Sequence, residues 1–223
     1  MKRLFLLFSI CLSIATSAQK TFKVPDFEKI KQDISDSNSI HYYPIVLERF
    51  LSGGDGLTLA HYYNFYYGYR YQERYSPYGM SKHREAINKL LDKKKKSEKD
   101  NKKLIALLEE QLRDNPIKIM HSYLLALTYQ DLGDEELAKK WFNNTYGLAD
   151  AILLTGDGLS LETAIWVLHT SEEYDLIPYL GYKFGGEQAL VNNCDRMKLQ
   201  KNEDELEHLY FNVSVLFESF NLD

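Results

Sequence analysis

The spacing of the apolar residues changes once along this chain, at Gly156-Asp157-Gly158. Before this point, from Val24 to about Ala151, apolar residues recur at the spacing of amphipathic helices. After it, short runs of β-branched and aromatic residues favour strands. We therefore predict an α+β protein in which a mostly helical N-terminal body is followed by a small antiparallel strand region.

Prolines and capping residues divide the helical body into separate helices. Proline is favoured in the first turn of a helix, and serine, threonine or aspartate just before it. By these signals, helices begin at Pro25-Asp26, at Pro44, near Thr58 and at Ser81. A further helix carries Leu104 to Leu112 and ends at Asn115-Pro116.

Small and aromatic residues between Ile119 and Ile152 have the spacing of a helical repeat. Small residues allow two helices to approach closely, and aromatic residues fill the groove to a neighbouring pair. The residues at these positions are Ala126, Tyr129, Gly133, Ala138 and Phe142. The segment resembles a tetratricopeptide repeat, which is a pair of antiparallel helices. The resemblance implies one such pair, with a degenerate pair before it.

The residues after Gly158 predict an antiparallel meander of four or five strands. The expected strands are Thr163 to His169, Tyr174 to Tyr182, Gln188 to Val191, an edge at Met197 to Gln200, and Leu209 to Phe217, which is the strongest. A helix over Thr163 to Leu168 is an alternative, because short apolar runs do not separate helix from strand.

The N-terminal segment has the layout of a cleaved secretory signal peptide. Lys2 and Arg3 precede an apolar run from Leu4 to Ile14, and the small residues Thr16-Ser17-Ala18 follow it. The run is well short of the roughly 20 residues that a membrane-spanning helix needs. We expect a mature chain that begins near Gln19, has no transmembrane segment, and is periplasmic or secreted.

Composition bounds the domain organisation and the class of partner. We expect a signal peptide at residues 1–18, a helical body at 19–155, and a strand-rich region at 156–223 that packs on the body as one unit. The chain has 27 Lys and Arg residues against 32 Asp and Glu, and cleavage would remove two of the basic ones. A nucleic-acid-binding protein needs a basic surface, so we predict no nucleic-acid partner.

No catalytic or metal-binding motif stands out in the sequence. Cleavage would leave Cys194 as the only cysteine, so no intrachain disulfide is expected, and the six histidines show no pair at metal-site spacing. The acidic residues Glu172, Glu173 and Asp175 are interpreted as a surface cluster, with a hydrolase carboxylate pair as the alternative. We predict no catalytic residue, no metal and no cofactor.

Short segments spread over the whole mature chain carry a further resemblance. They are Tyr42-Tyr43-Pro44, Leu47-Glu48-Arg49-Phe50, Leu57-Thr58-Leu59, Tyr66-Tyr67-Gly68-Tyr69, Tyr75-Ser76-Pro77-Tyr78, Gly156-Asp157-Gly158, Glu173-Tyr174, Asp195-Arg196-Met197 and Tyr210-Phe211-Asn212-Val213. The chain resembles a family of small exported Gram-negative bacterial proteins that is known only as a domain of unknown function. The resemblance implies export and a mostly helical body with a C-terminal strand region, and no activity comes with it.

The segment from His61 to Tyr78 is unusually rich in tyrosine and is the best candidate for a binding site. Tyrosine rings that stay partly exposed suit sugar faces or peptide side chains, because they offer apolar area and one hydroxyl. The alternative is that the rings fill gaps between helices and bond to loop backbone through their hydroxyls. The candidate ligand-binding residues are Tyr62, Tyr63, Tyr66, Tyr67, Tyr69, Arg70 and Arg74.

These observations favour a noncatalytic exported protein that binds an envelope protein, a peptide or a glycan. Helical pairs bury one face against their neighbours and leave another face free for a partner. Two alternatives stay open, namely an envelope hydrolase acting on carbohydrate or peptide, and a structural subunit of an envelope assembly. Exposed tyrosines beside two carboxylates would favour the hydrolase. Buried tyrosines with another exposed apolar patch would favour a protein partner.

Overall fold

Seven α-helices precede the sheet in the part of the chain that the computed structural model describes, which is residues 21–77, 79 and 82–218. They are α1 (Phe27–Ser35), α2 (Tyr43–Leu51), α3 (Leu59–Gly68), α4 (Arg84–Leu91), α5 (Glu98–Asp114), α6 (Ile119–Asp131) and α7 (Glu135–Leu153). A 3-10 turn, Tyr69–Tyr71, directly follows α3. The predicted helical body is therefore confirmed.

Local capping sets the starts of α1 and α3, as the sequence predicts. The Asp26 side chain accepts a hydrogen bond from the Lys29 amide at 3.0 Å at the start of α1. Thr58 begins α3 in a capping box with His61. The predicted cap at Ser81 lies outside the described residues, and α4 begins at Arg84. The predicted signal peptide, residues 1–18, also lies outside them.

The tetratricopeptide-like pair consists of α6 and α7. Gly133, at φ +79°, makes the turn between the two helices with a backbone conformation that suits glycine. Ala126 and Ala138 are buried between close-packed helices. The Tyr129 hydroxyl donates to Glu109 on α5 at 3.1 Å, which ties the pair to the preceding helix.

A four-stranded mixed sheet forms most of the C-terminal part. Its elements in chain order are β1 (Ile165–Trp166), α8 (Ser171–Tyr179), β2 (Phe184–Val191), β3 (Cys194–Leu199), β4 (His208–Asn212) and α9 (Ser214–Glu218). The strand order is β1-β4-β3-β2, with β1 parallel to β4 and the other pairs antiparallel. The expected α+β class is correct, although the sheet is not purely antiparallel.

The structure corrects several predicted strands. Tyr174 to Tyr182 is mostly the helix α8, whose first turn carries two glutamates that are favourable at a helix N-terminus. The strand expected over Thr163 to His169 shrinks to two residues. The strand expected at Met197 to Gln200 belongs to β3, an interior strand with a partner on each side.

The last predicted strand also ends early. Leu209 to Phe217 contains β4 only as far as Asn212. The Asn212 side chain accepts from the Ser214 amide at 3.0 Å and from its hydroxyl at 2.6 Å, and this local turn starts α9.

Hydrogen bonds from tyrosines join the helical body to the C-terminal part. The Tyr67 hydroxyl donates to the Trp166 carbonyl at 2.9 Å, and the Tyr75 hydroxyl donates to the Leu168 carbonyl at 3.1 Å. Buried residues of both parts form one hydrophobic core.

Cys194 is a free, buried cysteine in β3. None of the described helices combines the length and the apolar character needed to cross a membrane.

Candidate functional site

The five tyrosines proposed as ligand-binding residues are buried. Their relative exposures are 5 % or less. Because α3 packs between α1, α2 and α7, its rings point into the core on every side of the helix. The burial favours the alternative in which the rings fill gaps between helices.

Each of these tyrosines has a hydrogen-bond partner for its hydroxyl. Tyr62 donates to the Asn144 side chain at 2.7 Å. The other four donate to distant parts of the chain, namely Tyr63 to the Lys23 carbonyl, Tyr66 to the Glu172 carboxylate, Tyr67 to the Trp166 carbonyl and Tyr69 to the Asp114 carbonyl. Burial raises the pKa of Tyr62 and of Tyr69 to about 12, so both stay neutral donors.

The two arginines of the candidate site are held in separate contacts. The Arg70 guanidinium lies 4.3 Å from the centre of the Phe27 ring and pairs with Glu218 at 2.7 Å. Arg74 pairs with Asp114 at 3.0 Å. The structure therefore does not bring the seven candidate residues onto one ligand surface.

A buried carboxylate at the start of α8 is the centre of a polar network. Glu172 accepts from the Tyr66 hydroxyl and from the backbone amides of Leu168 and His169, the amides at 3.2 and 3.1 Å. Its other oxygen lies 3.0 Å from His169 Nδ1. Burial alone would raise the pKa of Glu172, but its interactions with His169, the Lys118 charge and the hydrogen bond from Tyr66 outweigh it and lower the pKa. The network orients this helix against α3.

A second buried carboxyl lies next to it but faces the sheet. Gln188 on β2 donates from one amide nitrogen to Asp195 at 2.6 Å and to Glu173 at 3.4 Å. Burial, followed by the charge of Asp195, raises the pKa of Glu173 to about 9, so Glu173 is protonated at neutral pH. Glu172 and Glu173 are each 0 % exposed, so the predicted surface acidic cluster is wrong for both.

The described residues do present an exposed aromatic surface elsewhere. We call it the aromatic row, and it consists of Tyr123 on α6, Phe142 and Tyr146 on α7, and Tyr179 on α8. Successive ring centres are 5.9, 6.2 and 6.3 Å apart. The three tyrosines are 38 to 46 % exposed. The row lies on the tetratricopeptide-like pair and its neighbour α8.

The sequence carries a partial signal for the aromatic row that residue composition does not reveal. Phe142 and Tyr146 are four residues apart and therefore share one face of α7. Asp150, a further four residues on, accepts from the Tyr179 hydroxyl at 2.8 Å at the end of the row. Tyr123 and Tyr179 join this face only through tertiary packing, which spacing along the chain does not reveal.

The helices and the sheet define an α+β protein that contains one tetratricopeptide-like helix pair. The aromatic row lies on this pair and on α8. A family model described as Domain of unknown function (DUF4919) matches residues 28–221. The chain belongs to this family, in agreement with the resemblance to a domain of unknown function. The exported and bacterial aspects of that resemblance stay predictions. No curated protein matches the chain. A search of solved structures likewise gives no match.

Proposed function

We propose that the protein is a noncatalytic, exported binding protein that holds a peptide segment of an envelope protein on the aromatic row. The observation that carries the proposal is the contrast between two tyrosine groups. The rings of α3 are buried, whereas the three tyrosines of the aromatic row are exposed and pack in succession with the half-buried Phe142. Exposed apolar patches and clustered tyrosines are typical of protein interfaces.

The charge at the end of the row specifies the partner further. Asp150 is exposed beside Tyr179, and the chain as a whole is acidic. A basic side chain of the partner gains a charge-assisted hydrogen bond there, while its apolar side chains cover the rings. The expected partner segment therefore combines apolar residues with a lysine or arginine.

The burial of the acidic residues supports binding over hydrolysis. A hydrolase needs carboxyl groups that touch the scissile bond. Glu172 and Glu173 have no exposed surface, and their oxygens face α3 and the sheet. The alternative in which these two carboxyls catalyse hydrolysis therefore gains no support.

Site-specific crosslinking tests the row as the contact surface. A photoreactive amino acid replaces Tyr146 in one variant and Leu190 in the control, because Leu190 is an apolar residue on β2 that is even more exposed, 57 % against 46 %. We expect a protein crosslink from position 146 that Tyr123→Ala abolishes, and none from position 190. Equal crosslinking from both positions, or capture of a glycan alone, would refute the proposal.

Export is tested separately on the native full-length chain. We expect the N-terminus of the purified protein to be near Gln19, and the protein to occur in the periplasmic fraction or the medium. An intact N-terminus on protein confined to the cytoplasmic fraction would contradict the proposed location.

A further inference from the structure

A polar pocket lies at the start of α6 and shares no described lining residue with the aromatic row. It encloses about 340 Å³ between the end of α5, the start of α6 and the segment after the 3-10 turn. Six of its lining residues carry the argument, namely Tyr69, Arg74, Gln111, Asn115, Lys118 and His121. The volume is within the range of small-molecule sites.

The charged groups of the polar pocket are mainly cationic. Arg74, Lys82 and Lys118 line it, and Asp114 is the one carboxylate among the described lining residues. Asp114 pairs with Arg74 and with Lys82, each at 3.0 Å. Lys118 has a neutral partner, the Ser171 hydroxyl at 2.5 Å. The Lys118 charge also acts on the Glu172 and Asp175 carboxyls, but no ion pair holds its ammonium group among the described residues, so the group can donate to an anion in the pocket.

Three buried polar atoms of the polar pocket lack a partner among the described residues. They are Gln111 Nε2, Asn115 Oδ1 and His121 Nδ1. Gln111 is only 4 % exposed, and its amide nitrogen is a donor. Buried polar atoms in native proteins are nearly always hydrogen-bonded, because leaving one unpaired costs about 1–3 kcal/mol. These atoms point to a polar ligand.

The chemistry of these three atoms and of the Lys118 ammonium group narrows the class of ligand. The Gln111 amide and the Lys118 ammonium donate, and both suit an oxyanion. Asn115 Oδ1 accepts and needs a donor such as a hydroxyl. Burial and the charge of Lys118 lower the pKa of His121 to about 4, so its imidazole adds a neutral polar contact at physiological pH.

We propose that the polar pocket binds a small hydroxylated oxyanion, such as a sugar or hydroxy acid that carries a carboxylate or a phosphate. Gln111 and Lys118 hold the oxyanion, and Asn115 accepts from a hydroxyl of the ligand. Tyr69 is fixed in the wall through its bond to the Asp114 carbonyl at 2.9 Å. The proposal does not depend on the aromatic row.

Calorimetric titration of the mature chain with matched sugars tests the proposal. The probes are glucuronate, glucose 6-phosphate and neutral glucose. We expect at least one of the two anions to bind and glucose to bind at least about tenfold more weakly, which corresponds to the loss of one charge-assisted hydrogen bond. The tighter anion then identifies the oxyanion. Binding of glucose as tightly as both anions, or no binding of either anion up to about 10 mM, would overturn the proposal.

Variants assign the binding to the polar pocket. Lys118→Gln and Gln111→Leu are each expected to weaken binding about tenfold, and Lys102→Gln, on an exposed part of α5, serves as the charge-matched control. Circular dichroism checks that each variant is folded. If Gln111→Leu fails to fold, Asn115→Ala replaces it, because Asn115 is the proposed acceptor for the ligand hydroxyl and is only partly buried. Unchanged affinity in the folded pocket variants would refute the assignment.

Discussion

Glu173 and Asp195 place two carboxyl groups against the same amide nitrogen of Gln188. Two neighbouring carboxyls in a buried site cannot both ionise without a large cost, so one keeps its proton. Here the pKa of Glu173 rises from 4.5 to about 9. Glu173→Gln replaces the protonated acid by a neutral amide of the same shape, so no second carboxylate can form beside Asp195.

The magnitude follows from the linkage between proton binding and folding. In the unfolded chain Glu173 loses its proton above pH 4.5, whereas the folded chain retains it up to about pH 9. The stabilising contribution is complete below pH 4.5 and is lost as the pH rises through 9, by about 1.4 kcal/mol per pH unit. At pH 7 the wild type has lost about 3 kcal/mol that Glu173→Gln does not lose.

Urea unfolding followed by tryptophan fluorescence measures this difference at several pH values. We expect the free energies of unfolding of wild type and Glu173→Gln to differ least at pH 4.5 and below. Between pH 4.5 and about 9, the stability of the variant relative to wild type is expected to rise by about 1.4 kcal/mol per pH unit. Glu203→Gln, which changes an exposed carboxyl in the loop before β4, is the matched control. A stability difference that does not change with pH, or a variant less stable than wild type at pH 7, would refute the reasoning.

Three further predictions concern neighbouring parts of the core. Glu172→Gln is expected to lower the free energy of unfolding at pH 7 by about 3–5 kcal/mol in urea titrations, because it removes the charge that the buried donors surround. Since the folded pKa of Glu172 is lowered, its contribution is present above the unfolded pKa and is lost as the pH falls through the folded value; equal stability of variant and wild type at pH 7 would contradict this. Gly147→Ala is expected to cost about 1–3 kcal/mol in thermal unfolding, because a Cβ atom there would lie 2.4 Å from the Tyr62 ring, and an unchanged melting temperature would disprove the close packing. Burial raises the pKa of the Cys194 thiol, so a thiol reagent is expected to react with it only after unfolding, and fast labelling of the native protein would contradict its burial.

The parts of the fold that sequence predicts well are those fixed by neighbouring residues. Asp26 and Thr58 act within three residues of themselves, so the starts of α1 and α3 could be read directly. The tetratricopeptide-like pair is likewise a local pattern. Alternating apolar residues suggested a strand at Tyr174 to Tyr182, but Thr170-Ser171 followed by two glutamates is a helix-start signal that the alternation concealed.

The candidate sites depend on contacts between residues far apart in the chain. The sequence favours a surface position for Glu172 because its buried partner Tyr66 lies 106 residues earlier in the chain. The polar pocket combines the ends of two helices with Arg74 from the segment after the 3-10 turn, and no spacing in the sequence shows that these meet. Of the seven candidate residues predicted from sequence, Tyr69 and Arg74 line that pocket.

The tyrosine-rich helix shows why residue type alone does not locate a binding surface. A tyrosine hydroxyl bonds equally well to a ligand or to the protein, and the choice depends on what packs around the ring. In α3 the surroundings are α1, α2, α7 and the C-terminal part, so the hydroxyls of Tyr66 and Tyr67 hold the sheet region against the helical body. On α7, Phe142 is half-buried and Tyr146 remains 46 % exposed. The same residue type therefore stabilises the core in one helix and supplies the proposed binding surface in another.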